Sequence, residues 1–249
     1  MPRVKNLSSK EIKKENMDDF LKFKEIFSGF DNQISIYSHS PIGMKYLYGM
    51  SHEISKNSTI PKRLIEIAVV AASYQNKCKY CVVHHSSILA DLGLDKESIA
   101  NITELKPKGL KEVEVLVRDY ALSVTDEAWK IKDSLFKKLK AYFSEAEIVE
   151  LTMRIALTGL FNKVNQALEI EMEEGLMAEL MNKGVSTENQ KRNKITKLIQ
   201  CKLVYKIFIV INLYTPVKKE VSVNQSLLGL LYPNLNTQLM PNQKHLNHV

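Results

Sequence analysis

The stretch Tyr74-Gln75-Asn76-Lys77-Cys78-Lys79-Tyr80-Cys81-Val82-Val83-His84-His85 decides the fold, and it holds two of the chain's three cysteines and two of its six histidines. Read as a helix, positions 78, 81 and 85 fall within an arc of roughly 60°, because each residue turns about 100°. Two thiols and one imidazole then share a face, while His84 points elsewhere. Asn76 is a good N-cap for this helix and Gly93 a good C-cap. Cys78 is thus expected in the first turn, where unsatisfied N–H groups, together with Lys77 and Lys79, favour a thiolate. Those flanking lysines also argue against full burial of Cys78.

Upstream, Leu64-Ile65-Glu66-Ile67-Ala68-Val69-Val70-Ala71-Ala72 is apolar almost all round, the mark of a buried helix. Ser58-Thr59-Ile60-Pro61 supplies its start signal, with an N-cap candidate and a proline in the first turn. Glu66 is the only charge in the run. Along an unbroken helix it would lie about 18 Å from Cys78. A turn at Tyr74 to Lys77 would instead fold two antiparallel helices together and bring the carboxylate to the second turn of the cysteine helix. A buried Glu beside His85 can act as a general base towards a thiol. The alternative is a surface ion pair of Glu66 with Lys62 or Arg63.

Working outward, Phe20, Leu21, Phe23, Ile26 and Phe27 form a helical apolar stripe that stops near Gly29. A loop at Ser38-His39-Ser40-Pro41 precedes a helix from Ile42 to about Ile54, with Met44, Tyr46, Leu47 and Met50 inward. Asp95 to Glu104 predicts a short helix. Val113 to Leu122 predicts another, with Val113, Leu116, Val117, Tyr120 and Ala121 inward. Leu135, Leu139, Tyr142 and Phe143 mark the next. Ser144-Glu145-Ala146-Glu147 is a capping box. It opens a long helix whose apolar face includes Ile148, Leu151, Ile155, Leu160, Val164 and Leu168. No convincing period-2 run occurs before residue 200, so the body is expected to be all-α.

The chain has 249 residues, 45% of them hydrophobic, ample for a core. It divides into a polar N-terminal segment (1–19), a helical domain (20–182) and a basic C-terminal tail (183–249). Residues 186–249 carry nine Lys/Arg and two acidic residues, which accounts for the whole formal net charge of +7. The remaining 26 basic and 26 acidic residues cancel, so the body offers no electrostatic case for nucleic acid. The tail's composition predicts a poorly ordered appendage. No apolar run approaches the roughly 18 residues of a membrane span, and Met1-Pro2-Arg3-Val4-Lys5 leads into no signal-peptide core. A Cys-x-x-Cys in such a chain reads as a reactive or metal-binding pair in a reducing cytoplasm.

Three readings of the pair stand side by side. It is a dithiol redox unit with His85 as proton carrier, a zinc site lacking an obvious fourth ligand, or a buried inert pair. A thioredoxin-type site would need a βαβ context that this pattern does not offer.

Glu66, eleven intervening residues, Cys78-Lys79-Tyr80-Cys81, three more and His85 resemble the active-site signature of the AhpD-like alkylhydroperoxidases, within the carboxymuconolactone decarboxylase superfamily. The likeness covers roughly residues 20–180. It takes in Leu92-Gly93-Leu94 and the later block Phe161-Asn162-Lys163-Val164-Asn165-Gln166-Ala167-Leu168. The resemblance implies an all-helical bundle with the Cys-x-x-Cys at the N-terminus of a central helix, assembled as trimers or hexamers. It implies a cofactor-free, metal-free hydroperoxide reductase in which Cys81 attacks peroxide and Cys78 resolves to a disulfide. Glu66 and His85 would relay the proton, and a lipoylated or thioredoxin-like dithiol protein would be the electron donor. The chain departs from the family at Tyr80, where a histidine is expected; a phenol is a poor proton shuttle at neutral pH. Two other classes of function remain: a cofactor-free lyase or decarboxylase using Glu66 and His85, and a non-enzymatic redox-responsive protein using the basic tail.

Overall fold

The computed structural model describes residues 2–176; the boundary at 182 and the whole 183–249 tail lie outside them. Ten helices follow one another: α1 (Met17–Ile26), α2 (Asp31–Tyr37), α3 (Pro41–Gly43), α4 (Gly49–Asn57), α5 (Lys62–Gln75), α6 (Lys79–Asp91), α7 (Lys96–Ala100), α8 (Glu112–Glu127), α9 (Asp133–Leu139) and α10 (Glu145–Ala167). Among the described residues there is no strand, so the domain is all-α as its periodicity predicts.

Helix α5 is the centre. It packs against α6, α8 and α10, and every residue from Leu64 to Ser73 is buried. That is why its sequence is apolar all round: no face is left for solvent. Ile67, Val69, Val70, Leu116, Val117, Tyr120, Leu151 and Ile155 build the main core around it. A second cluster covers the thiols with Phe20 and Phe23 of α1, Ile34, Ile36 and Tyr37 of α2, Tyr48, Leu157 and Phe161.

The capping box at Ser144 forms in full: Glu147 N–H donates to Ser144 Oγ at 3.3 Å and Ser144 N–H donates to Glu147 Oε2 at 2.8 Å. Other expectations need correction. Ser58 and Thr59 do not cap α5, whose first residue follows Pro61 directly. Thr59 instead donates to Glu147 at 2.8 Å and ties the loop to α10. Helix α2 has no counterpart in the periodicity reading. Tyr46 is exposed and Tyr48 is buried, because Met44–Tyr48 is a π-helical turn whose wider spacing rotates the following residues off a 3.6-residue register. Leu21, Ile26, Tyr142 and Leu160 also face outward rather than into the core.

Candidate active site at the turn between α5 and α6

The reversal that pairs α5 with α6 takes place at Asn76 and Lys77. Lys77 adopts φ 60°, its N–H bonds to Tyr74 O, and Cys78 N–H bonds to Ser73 O, both at 3.0 Å. This double closure is a Schellman motif. The same closure ends α6 at Gly93 (φ 83°) and α10 at Glu169 (φ 52°). Asn76 therefore ends α5 instead of capping α6, and the N-cap of α6 is Cys78 itself. The expected helix start near Asn76 is wrong by two residues.

Both sulfurs are buried, with Cys78 1% and Cys81 4% exposed. The lysines beside Cys78 are exposed, so they leave the cap side chain to turn inward; the argument against its full burial is overturned. Cys78 Sγ and Cys81 Sγ are reduced and in hydrogen-bond contact at 3.0 Å. Two thiols this close cannot both ionise easily. The contact with Cys81, helped by the Cys81 backbone, holds Cys78 below the ordinary thiol range against the opposing effect of burial. The contact with Cys78, followed by burial, pushes Cys81 well above that range.

Glu66 reaches the cysteine helix. Its Oε2 lies 2.7 Å from His85 Nδ1. Burial pushes this carboxyl up, but the His85 ring and the charges of Arg154 and Lys62 outweigh it and hold the group below the usual carboxylate range. Arg63 is engaged elsewhere: its Nε donates to Glu114 Oε1 at 2.6 Å. Arg154 on α10 is buried and its charge acts on both Glu66 and Cys81. Among the described residues no hydrogen bond joins His85 to either sulfur, so the imidazole serves the carboxylate directly and the thiols only through whatever lies between.

Tyr80 and His84 face a different carboxylate. Tyr80 OH donates to Glu173 Oε1 at 2.8 Å, and Asn32 N–H donates to the same oxygen at 2.9 Å. His84 Nε2 lies 2.8 Å from Glu173 Oε2, with its ring stacked on Phe30 at 4.3 Å. Burial, then Glu173, pushes the Tyr80 phenol far above its ordinary value. Tyr80 is thus a tie between α6 and the segment after α10.

Two groups that touch the thiol pair were not singled out from the sequence. Asn165 Nδ2 donates to Cys81 Sγ at 3.2 Å. Asn162, one turn earlier on the same buried face of α10, donates to Ser73 Oγ at 3.1 Å and accepts from Asn76 Nδ2 at 2.9 Å. The usable signal was two asparagines spaced i, i+3 on the buried face of α10, whose other polar members are Arg154 and Thr158, where a buried amide must have a partner. Among the described residues no group of three or more His, Cys, Asp or Glu side chains is placed to hold a metal ion, and no helix is long and apolar enough to cross a membrane.

Residues 43–104, which include the turn and both cysteines, match the Carboxymuconolactone decarboxylase family. The chain is 22% identical over 139 residues to the Bacillus subtilis protein YdfG, a match that spans 55% of this chain and 93% of that protein. Its fold is that of a peroxidase-related protein with an alkylhydroperoxidase AhpD core from Ralstonia eutropha JMP134, with TM-score 0.62 and 20% identity over 70% of this chain and 94% of that one. The debrominase Bmp8 is similar to the same degree, with TM-score 0.60 and 20% identity over 72% and 96% of the two chains. An Agrobacterium tumefaciens protein described as a putative antioxidant defence protein AhpD gives TM-score 0.51 and 24% identity over 54% and 93%.

Proposed function

We propose that this chain, whose residues 43–104 match the Carboxymuconolactone decarboxylase family and whose fold is that of a protein with an AhpD core, is a thiol-dependent hydroperoxide reductase. The observation that carries this reading is the pair of buried, reduced sulfurs 3.0 Å apart at the N-terminus of α6, one helical turn from a carboxylate–imidazole couple.

In the resting pair the shared negative charge rests first on Cys78. A proton passing from Cys81 to Cys78 across the contact places the charge on Cys81. The Cys81 thiolate attacks one peroxide oxygen and the O–O bond breaks heterolytically. Cys81 becomes a sulfenic acid, and the departing alkoxide takes up a proton to leave as an alcohol. His85, held by Glu66, is the proton source. Cys78 then gives up the proton it took and attacks Cys81 Sγ; the S–O bond breaks, that proton joins the leaving hydroxide as water, and a disulfide remains. The sulfurs need to approach by only about 1 Å to reach bonding distance. A dithiol donor, lipoylated or thioredoxin-like, returns two electrons and two protons by exchange. Tyr37, Tyr48, Leu157 and Phe161 belong to the same packed cluster as the two sulfurs, and such apolar surroundings favour an organic hydroperoxide over hydrogen peroxide.

Peroxide consumption with dihydrolipoamide as reductant tests the reading in wild type, Cys81→Ser and Cys78→Ser. Loss in both variants, with a Cys78–Cys81 disulfide in oxidised wild type, is expected. Both thiols remaining reduced after exposure to cumene hydroperoxide would sink it. The missing hydrogen bond between His85 and the sulfurs supports a second reading, acid–base chemistry on a carbonyl substrate by Glu66 and His85 alone. In that case Cys81→Ser keeps its activity and Glu66→Gln loses it.

A further inference from the structure

Behind Cys81 runs a buried chain of three side chains from α2, the π-helical turn and α10. Tyr48 OH donates to Gln33 Oε1 at 2.7 Å, Gln33 Nε2 donates to Asn165 Oδ1 at 2.9 Å, and Asn165 Nδ2 donates to Cys81 Sγ at 3.2 Å. Gln33, Tyr48 and Asn165 are each at most 5% exposed. We propose that Gln33 is a positioning residue for Cys81. By donating to the Asn165 oxygen it leaves that amide one orientation, N–H towards Cys81 Sγ, and so stabilises the thiolate when the charge is on Cys81. The inference rests on the thiol reading of the site.

The physical argument is directional. If the Asn165 amide were reversed, its NH2 would face the Gln33 NH2 and its oxygen would face the sulfur. A buried donor left unpaired is costly, and an oxygen lone pair against a thiolate adds repulsion. Tyr37 OH, 3.4 Å from the same Asn165 oxygen, is a second donor that favours the observed orientation. A donor aimed at the charged form of a group stabilises that form. No cation hydrogen-bonds Cys81 among the described residues; besides the Cys78 thiol, amide donors hold charge there, Asn165 at 3.2 Å with Asn162 beside it. Asn165 touches the reacting sulfur; Gln33 acts only through it.

The test is alkylation of Cys81 by iodoacetamide as a function of pH. Trypsin cuts after Lys79, so Cys81 is read on the peptide Tyr80–Lys96 apart from Cys78. Asn165→Leu and Gln33→Met are each expected to raise the midpoint by about one pH unit, making alkylation near neutrality about tenfold slower. In the double variant Gln33→Met adds nothing further. Tyr48→Phe removes a single oxygen, keeps the packing, and is expected to give a smaller shift in the same direction. Tyr120→Phe, which breaks a hydrogen bond to Thr152 in the other core cluster, lowers Tm and leaves the midpoint alone. An unmoved midpoint in folded Gln33→Met or Tyr48→Phe overturns the proposal, as do additive shifts in the double variant. No peroxide enters the measurement, so a wild type that consumes none would defeat the functional reading and not this one.

Discussion

Glu66 on α5 and His85 on α6, nineteen residues apart in sequence, meet at 2.7 Å across an antiparallel helix pair. The carboxylate is inside the molecule, and its ring partner and Arg154 make that burial tolerable. A charge kept in a core at such a cost has consequences for stability that can be measured.

The first is acid sensitivity. The folded-state pKa of Glu66 lies below its ordinary value of 4.5, so between the two the unfolded chain binds more protons. Stability from this group is complete above the unfolded value and is lost as pH falls through the folded one. Glu114 and Glu173 are shifted the same way and contribute to the same loss. Melting curves of wild type and Glu66→Gln from about pH 7 to about pH 3 should converge as pH falls. Parallel curves would mean that the Glu66 carboxylate contributes nothing to folding.

Lys77 gives a prediction of opposite sign. A side chain at φ 60° is strained, and glycine is the residue that normally occupies this position of a Schellman closure. Lys77→Gly should stabilise the fold by about 0.5–1 kcal/mol, the relief of strain exceeding the added unfolded-state entropy. Urea unfolding decides it, and a lower midpoint would show that the lysine side chain matters more than its backbone.

Arg63 clamps three elements. Besides its bond to Glu114 on α8, its Nη1 donates to Leu92 O at the end of α6 at 3.0 Å. Glu114 is only 3% exposed, so removing Arg63 leaves a buried carboxylate with the Lys111 N–H, at 2.8 Å, as its remaining donor. Because Arg63 itself is partly exposed, the cost of Arg63→Met is expected at about 2 kcal/mol, below that of a fully buried pair. A urea-derived loss under about 0.5 kcal/mol would show that solvent compensates the carboxylate freely.

The all-α body and the capping box at Ser144 were legible because each is written in local spacing; the meeting of Glu66 with His85 was one of two readings open for that carboxylate, because it depends on the turn that pairs α5 with α6. The turn at Tyr74–Lys77 was anticipated, but the start of α6 was placed two residues early for a physical reason: two of the three Schellman closures, at Lys77 and Glu169, use residues other than glycine. Tyr46 was placed inward because a π-helical turn leaves no mark in a 3.6-residue pattern; Met44 is buried as expected, and Tyr48 takes the inward position instead of Tyr46. The burial of Cys78 contradicted its lysine neighbours because adjacent residues at a helix start point in different directions. Asn165 and Gln33 were passed over because a polar residue's partner lies far along the chain, 132 residues in this case. The tail from residue 183 lies outside the described residues.

The three-residue link between α5 and α6, Asn76 to Cys78, has one more implication, for how this chain can vary in length. The loop around Leu105–Leu110 is largely exposed, and an inserted residue there has room to bulge into water. An insertion at Asn76–Lys77 has no such outlet. It would rotate α6 by about 100° against α5, carry His85 away from Glu66, and turn Cys81 away from Asn165 in the same motion. Spacing at this link is therefore the quantity that variation in this domain can least afford to change.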